Sequence, residues 1–176
     1  MHFQRNRDNR SGILAGTGSR ELQLASLADK RSIFAKTIDA IQSYRDANGL
    51  VRIMSGGAEG FDSCLARAAM HLELPLILAI PNKSYGSYYF GKNSVTKTNR
   101  LDKFREMIDY ASEVVYISDF FPGQGIKPDG RHLNFRRNDF MVAEADHMLV
   151  YDSKSPGTKD CFTTIKKTGR PFTLIG

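Results

Sequence analysis

The sequence contains little cysteine, little histidine and no long hydrophobic run. Two cysteines among 176 residues do not make a disulfide framework, and small buried thiols are the simpler interpretation. The longest apolar stretch, residues 74–80, is far shorter than the roughly 20 residues of a membrane helix. The four histidines are scattered along the chain and give no basis for a metal site. We therefore predict no membrane span, no metal and no cofactor.

Motifs of several common enzyme classes are also absent. The sequence has no phosphate-binding P-loop, no His-Glu-x-x-His, no Cys-x-x-Cys and no Gly-x-Ser-x-Gly. These absences argue against P-loop nucleotide hydrolysis, zinc proteolysis, dithiol redox chemistry and α/β-hydrolase chemistry.

The composition is globular and basic, with 41% hydrophobic and 25% charged residues and a net charge of +6. This charge favours anionic partners such as nucleotides, nucleic acid or phosphorylated metabolites. Residues 1–11 are polar and basic and do not resemble a secretory signal. We predict that they form a flexible tail, that residues 12–176 form a single domain, and that the protein is cytoplasmic, where thiols stay reduced.

Short apolar runs alternate with amphipathic segments along the chain. The runs, which predict buried strands, are residues 13–16, 50–55, 74–80, 113–117, 147–151 and 172–175. Helices are predicted at residues 30–47, 58–72, 99–111, 134–145 and 157–168. This alternation predicts a three-layer, Rossmann-like α/β fold, an open parallel sheet with helices on both faces. Ligands of such folds lie at the carboxyl ends of the strands, where the strand order reverses.

A glycine-containing segment follows the first predicted strand. Gly16 and Gly18 would let the backbone approach a ligand, and the hydroxyl of Thr17 or Ser19, ahead of Arg20, can donate to a phosphate oxygen. A tight turn from strand to helix explains the same residues equally well.

A second glycine segment, residues 55–62, follows the second predicted strand. Gly56, Gly57 and Gly60 precede a helix N-terminus, where unpaired N–H groups and the helix dipole form an anion site. Asp62 in the first turn either contacts the ligand or complements the helix dipole.

Two further segments carry potential ligand-binding groups. Arg137 and Asn138 offer a guanidinium fork and an amide, although a solvated basic helix face is the alternative. In residues 155–158, a serine and a proline are ordinary helix-start residues. Gly157 and Thr158 add exposed N–H groups and a hydroxyl at the same predicted sheet edge.

In this order, the motifs Gly-Thr-Gly-Ser-Arg, Gly-Gly-Ala-x-Gly-x-Asp, Arg-Asn-x-x-Met-Val-x-x-Ala-Asp and Gly-Thr resemble the SLOG superfamily. That superfamily includes Rossmann-like proteins related to DprA/Smf and to the LOG phosphoribohydrolases, and the resemblance is strongest to its small YspA/YpsA-like members. It spans residues 12–175 and implies a nucleotide-derived ligand, phosphate-binding glycine loops and a homo-oligomer. The ligand-binding residues that it implies are Gly16, Gly18, Ser19, Arg20, Gly56, Gly57, Gly60, Asp62, Arg137, Asn138, Gly157 and Thr158.

One position departs from the resemblance. The LOG proteins share Pro-Gly-Gly-x-Gly-Thr-x-x-Glu, in which the last residue is catalytic, whereas this chain has Cys161 at that position. Asp160 is adjacent but would point about 100° away around the helix. Hydrolysis by that mechanism is therefore not expected, and Asp62 and Asp160 are only weak candidates for a catalytic role.

Two loops are particular to this chain. In residues 81–98, Tyr85, Tyr88, Tyr89 and Phe90 either stack on a base beside neighbouring lysines or pack inward in an ordered surface loop. Residues 118–132 form a long loop that suits a lid or a subunit contact.

Three functions remain open at this point. We predict first a binding module that senses or sequesters a nucleotide-derived small molecule. The second is an enzyme that cleaves a nucleotide N-glycosidic bond with a carboxylate such as Asp62, Glu59 or Asp160. The third is DprA-like binding of single-stranded DNA, favoured by the basic charge and the aromatic–lysine loop.

Overall fold

Six parallel strands form the centre of the structure, a computed structural model that describes residues 12–123, 132–152 and 154–176. The predicted tail, residues 1–11, lies outside the described residues. Within them the sheet has the order β4-β3-β2-β1-β5-β6, and every pairing is parallel. The strands are β1 (Gly12–Gly18), β2 (Val51–Ser55), β3 (Leu76–Ile80), β4 (Glu113–Tyr116), β5 (His147–Tyr151) and β6 (Phe172–Ile175).

Helices cover both faces of this sheet. The first three pack on one face and the last two on the other. They are α1 (Leu27–Asn48), α2 (Phe61–His71), α3 (Leu101–Tyr110), α4 (Leu133–Glu144) and α5 (Pro156–Thr168). None of the described helices combines the length and the apolar character that crossing a bilayer requires. The predicted three-layer, Rossmann-like α/β fold is confirmed.

The two faces of the sheet form two separate apolar cores. Leu14 and Ile53 point towards α1, α2 and α3, whereas Ala15 and Met54, the next residues along the strands, point towards α4 and α5. All five residues of β3 are buried. Burial on both faces explains why the strands appear in the sequence as continuous apolar runs rather than as alternating ones.

The helix ends follow local capping chemistry. Ser26 is the N-cap of α1 and accepts a hydrogen bond from the Asp29 N–H at 3.1 Å. The helix therefore begins at Leu27, three residues before the predicted start at residue 30. Gly49 ends α1 and Gly169 ends α5, each with a positive φ, as their place after a helical pattern predicts.

Three short turns were not predicted from the sequence. They are two 3₁₀ turns, Arg20–Leu24 and Ile117–Asp119, and a π-helical turn, Ser87–Lys92, inside the predicted 81–98 loop. Residues 124–131, which make up much of the predicted 118–132 loop, lie outside the described residues. The two cysteines are free thiols that belong to opposite faces of the sheet.

Gly60, directly before α2, is held where a side chain would not fit. Its φ of +80° lies in the left-handed region that favours glycine. A Cβ there would overlap the carbonyl oxygen of Ser19 and the backbone of Arg20. The approach is close because the Phe61 N–H donates a 3.1 Å hydrogen bond to the same Ser19 oxygen, which joins α2 to the end of β1.

The substitution Gly60→Ala tests this contact, with Gly49→Ala as its matched control. Gly49 has a similar φ of +84° but no atom within 4 Å of the Cβ position. We expect Gly49→Ala to lower the free energy of unfolding by about 1–3 kcal/mol through backbone strain alone. Gly60→Ala should lower it by roughly 1–3 kcal/mol more, because the new methyl group overlaps backbone. Urea unfolding followed by circular dichroism measures both, and equal losses would contradict the proposed contact.

Candidate functional site

A cleft of about 370 Å³ opens at the carboxyl ends of β1 and β5. The chain continues from β1 through β2 and β3 to β4 on one side, then returns to place β5 on the other side of β1. The cleft therefore lies where the strand order reverses, as predicted for a ligand site in this fold. Eight of the predicted binding residues line it: Gly18, Ser19, Arg20, Asp62, Arg137, Asn138, Gly157 and Thr158.

The other four predicted residues, all glycines, do not line the cleft. A Cβ on Gly16 would meet Leu65 of α2, so this glycine lets the helix pack closely on the sheet. Gly57 has a φ of +68°, and its missing side chain faces Phe104, away from the cleft. Gly60 lies against the backbone after β1, as described above. Gly56 packs beside a buried ion pair.

Three backbone N–H groups of the 55–62 segment are already used by hydrogen bonds within the protein. The Gly57 N–H donates to the Ser55 hydroxyl at 3.2 Å, and the Ala58 N–H donates to an Asp62 carboxylate oxygen at 3.3 Å. The Phe61 N–H is used by the Ser19 carbonyl. These three backbone donors are therefore used within the protein and are not available to an anion.

The N-terminus of α5 is more open. Ser155 occupies the N-cap position, but its side chain makes no capping hydrogen bond. Its hydroxyl donates instead to the Thr158 hydroxyl at 2.6 Å. The N–H groups of Gly157 and Thr158 lie in the first turn and have no acceptor within the helix. This helix end therefore presents backbone donors, hydroxyls and a positive dipole to the cleft.

A buried ion pair lies beneath the cleft. Arg137 of α4 approaches Asp62 of α2 at 3.7 Å, and the two side chains are 13% and 7% exposed. The same guanidinium donates to the Gly56 carbonyl at 3.1 Å and to the Tyr85 hydroxyl at 3.3 Å. Its Nε is buried and has no hydrogen-bond partner among the described residues. The predicted basic side chain is thus a buried structural group at the cleft, not a solvated one.

Burial raises the pKa values of Asp62 and Tyr85, the two acidic groups beside Arg137. It raises the pKa of Asp62 above its ordinary value of 3.8, although Arg137 and the Ala58 N–H act in the opposite direction. Burial likewise raises the pKa of Tyr85 to about 12, so its hydroxyl stays protonated at neutral pH.

A polar chain continues from this pair to α5. Arg137 donates to the Asn138 amide oxygen at 3.2 Å. The Asn138 amide nitrogen donates to an Asp160 carboxylate oxygen at 3.1 Å and to the Gly157 carbonyl at 3.4 Å. Asn138 therefore orients the first turn of α5, and its amide group also holds the Asp160 carboxylate.

Glu59 has a structural role beside the cleft. This carboxylate is 1% exposed and accepts hydrogen bonds from the Arg20 guanidinium, the Ser94 hydroxyl and the Val95 N–H, at 3.2, 2.6 and 2.8 Å. The contacts hold the end of the 81–98 segment against the start of α2. Arg20 also lies 4.6 Å from the centre of the Tyr89 ring.

The aromatic residues of the 81–98 segment divide between the two predicted interpretations. Tyr85 and Phe90 are buried and pack near Phe104 of α3. Tyr85 and Tyr89 also line the cleft, and the Tyr89 hydroxyl accepts from the Asn134 amide at 3.0 Å. Inward packing thus dominates, but Tyr89 keeps a surface in the cleft.

The cleft is also lined by residues that the sequence did not mark as ligand-binding, among them His132, Asn134 and Phe135. The signal for Asn134 was present, because it precedes Asn138 by four positions and shares its helix face. No comparable signal marked the other two. Among the described residues, no group of three acidic, histidine or cysteine side chains could hold a metal ion.

Cys161 lies where the resemblance predicts a catalytic glutamate. It is fully buried in the core between α4, α5 and the sheet. Burial raises the pKa of its thiol to about 12, so the group is neutral and inert at physiological pH.

Comparison with known proteins extends the fold assignment. No protein-family model matches the chain, and no curated protein matches it. The structure is similar to DprA from Streptococcus pneumoniae, with a TM-score of 0.60 and 18% identity over 93% of this chain and 50% of that one. It is also similar to DprA from Helicobacter pylori, whose single-stranded DNA binding mode has been described, with a TM-score of 0.54, 16% identity and coverages of 94% and 65%.

A third similar structure is the structural-genomics target TM1055, with a TM-score of 0.54, 10% identity and coverages of 92% and 72%. The chain therefore spans about half to two thirds of the two DprA chains. At these identities the likeness establishes the fold alone, a Rossmann-like α/β fold that this chain shares with DprA and TM1055.

The raised pKa of Asp62 predicts how stability depends on pH. The folded state holds the Asp62 proton more tightly than the unfolded chain does, so this group stabilises most below about pH 4. Its contribution falls as the pH rises through the folded-state pKa. The stability of the wild type minus that of Asp62→Asn, which cannot titrate, should therefore decrease as the pH rises.

Urea unfolding between about pH 3 and about pH 7 measures this difference. Asp39→Asn, on the exposed surface of α1, is the control for the substitution itself. A difference that grows with pH would mean that attraction to Arg137 outweighs burial of the carboxyl group.

Proposed function

We propose that the cleft binds a nucleotide-derived small molecule and does not cleave it. The uncapped N-terminus of α5, which faces the cleft together with two arginines, is the observation that carries the proposal. Backbone N–H groups at a helix N-terminus are the usual protein ligands of a phosphate.

The phosphate end of the ligand belongs at residues 155–158. The N–H groups of Gly157 and Thr158 are donors, and the Thr158 hydroxyl, which accepts from Ser155, keeps its own proton to donate, as phosphate oxygens require. The Ser19 hydroxyl and Arg20 reach the same cleft from the end of β1. This location differs from the 55–62 segment that the glycine pattern favours, where the N–H groups of Gly57, Ala58 and Phe61 are already bonded.

The base end belongs against the aromatic side of the cleft. Tyr89 and Phe135 offer ring surfaces on which a base can stack, and Asn134 offers an amide for its polar edge. The volume of about 370 Å³ lies in the range typical of small-molecule pockets. The cleft therefore suits a mononucleotide or a derivative of one better than a polymer.

Single-stranded DNA is the second candidate ligand. It is favoured by the similarity to the Helicobacter pylori protein, described as binding single-stranded DNA, and by the net charge of +6. Binding of this kind weakens steeply with salt, because it depends on the release of counterions from the phosphate backbone.

The carboxylates near the cleft argue against N-glycosidic hydrolysis. Glu59 is held by three hydrogen bonds, Asp160 is bound to Asn138, and Asp62 is paired with Arg137. Cys161 replaces the catalytic glutamate of the LOG pattern. A general acid must be able to reach the departing base, whereas each of these carboxylates is already bonded to another side chain or to the backbone.

The substitution Thr158→Val tests the phosphate position. It removes the cleft hydroxyl but keeps the shape of the side chain. Loss of a hydrogen bond to a charged group costs roughly 1.5–3 kcal/mol, so the affinity for adenosine 5′-monophosphate or another bound nucleoside monophosphate should fall about tenfold or more. Thr163→Val, on the exposed side of the same helix, should leave the affinity unchanged.

Isothermal titration calorimetry measures these affinities. Equal affinities for wild type and Thr158→Val would place the phosphate elsewhere. If no nucleoside monophosphate binds, while an oligothymidylate binds with steep salt dependence, the second candidate replaces the first. Mass spectrometry of small molecules released from the purified protein would identify a native ligand.

We expect no release of free base when the wild-type protein is incubated with nucleoside monophosphates. Burial raises the pKa of the Cys161 thiol to about 12, so this thiol is too weak an acid to protonate a departing base at the position that the LOG pattern uses. Liquid chromatography of the reaction mixture detects free base directly. Release by the wild type that disappears in Asp62→Asn or in Asp160→Asn would overturn the binding proposal in favour of an enzyme.

A further inference from the structure

A second cavity of about 340 Å³ lies between α1, α2 and α3, and we call it the basic groove. It shares no lining residue with the cleft described above. The 3₁₀ turn Arg20–Leu24 lies between the two, since Arg20 lines the cleft and Leu22 lines the groove. Any function of the groove is therefore separate from nucleotide binding.

The floor of the basic groove is apolar. It is formed mainly by side chains of Leu22, Phe34, Phe90 and Met107, with the half-buried Cys64 beside them. Leu27, at the start of α1, also lines the groove and is 63% exposed. Leu27 extends the apolar surface of the floor to the edge of the groove.

The rim of the groove is basic on three sides. Lys30 and Arg31 come from α1, Arg67 from α2, and Arg100 and Lys103 from the start of α3. Lys103 pairs with Glu106 at 2.8 Å. Among the described residues, no carboxylate lies within 4.0 Å of the other four cations.

Unpaired like charges around one cavity repel one another, and an anionic partner removes that repulsion. The partner must carry several negative charges, because the cations come from three helices. It must also carry apolar groups, because the floor offers few polar partners. A fatty acid satisfies the second requirement but has a single charge.

An oligonucleotide satisfies the charge requirement but not the apolar one. Its bases need exposed ring faces and hydrogen-bond partners, whereas the Phe90 ring is 1% exposed, Phe34 is the one half-buried ring of the named floor residues, and the floor offers few polar groups. We propose that the basic groove docks an acidic peptide segment of a partner protein, with one or two large apolar side chains on the floor. Its flanking carboxylates then pair with Arg31, Arg67 and Arg100. An apolar face set in a groove between helices is a common mode of peptide recognition.

Selection from a library of random peptides displayed on phage, with the full chain immobilised, tests the proposal. We expect enriched peptides to combine Asp or Glu with Leu, Ile or Phe. The best of them, synthesised with a fluorescent label, should lose affinity about tenfold or more for Arg31→Glu/Arg67→Glu in fluorescence anisotropy. Both arginines are exposed, so the variant should fold, which thermal unfolding checks.

A charge-matched variant supplies the control. Lys36→Glu/Lys167→Glu changes the net charge equally at exposed positions outside the groove and should bind the peptide almost as the wild type does. Absence of enrichment, enriched peptides without acidic residues, or equal weakening by both variants would overturn the proposal. The proposal would also be overturned if no peptide binds and an oligothymidylate binds instead, with its binding lost in Arg31→Glu/Arg67→Glu.

Discussion

The buried contact between Asp62 and Arg137 is the constraint on which the cleft depends. It joins α2 on one face of the sheet to α4 on the other, across the end of β2. Removing two charges from water is costly unless further hydrogen bonds compensate, and the Gly56 carbonyl and the Tyr85 hydroxyl supply them. A Cβ on Gly56 would lie 2.6 Å from the carboxylate and 2.8 Å from the guanidinium. The glycine is therefore required by the ion pair, whether or not a phosphate is bound.

The sheet and its helices could be predicted because their signals are local. The stripe of apolar residues from Phe61 to Leu72 defines α2, and the run at residues 147–151 coincides with β5. Capping glycines such as Gly49 and Gly169 fix helix ends within the sequence itself. Parallel order then follows from the alternation of strands and helices, and it places the loops after strands on one edge.

The detailed roles of the glycines could not be predicted in the same way. Gly16 and Gly57 satisfy a phosphate-loop pattern, yet a Cβ on Gly16 would overlap Leu65. Gly57 is favoured by its φ of +68°, and the open side of this residue faces Phe104. A glycine that accommodates a ligand and one that accommodates a neighbouring helix look identical in a sequence. Which of the two roles a glycine has depends on side chains that are distant along the chain. The inward packing of Tyr85 likewise depends on a distant side chain, Phe104.

The central position of β1 also determines when the cleft can form. β1 pairs with β2, the next strand along the chain, and with β5, where Leu14 lies opposite His147. The Ile13 N–H also donates to the carboxylate of Asp146, directly before β5 and 133 positions away. Pairings this distant form late, because closing a long loop must precede them. During synthesis from the N-terminus, β1 to β4 can assemble while one side of β1 still lacks its partner. The walls contributed by β1 and α5 meet only when the last third of the chain has left the ribosome, so a truncated nascent chain lacks the complete cleft.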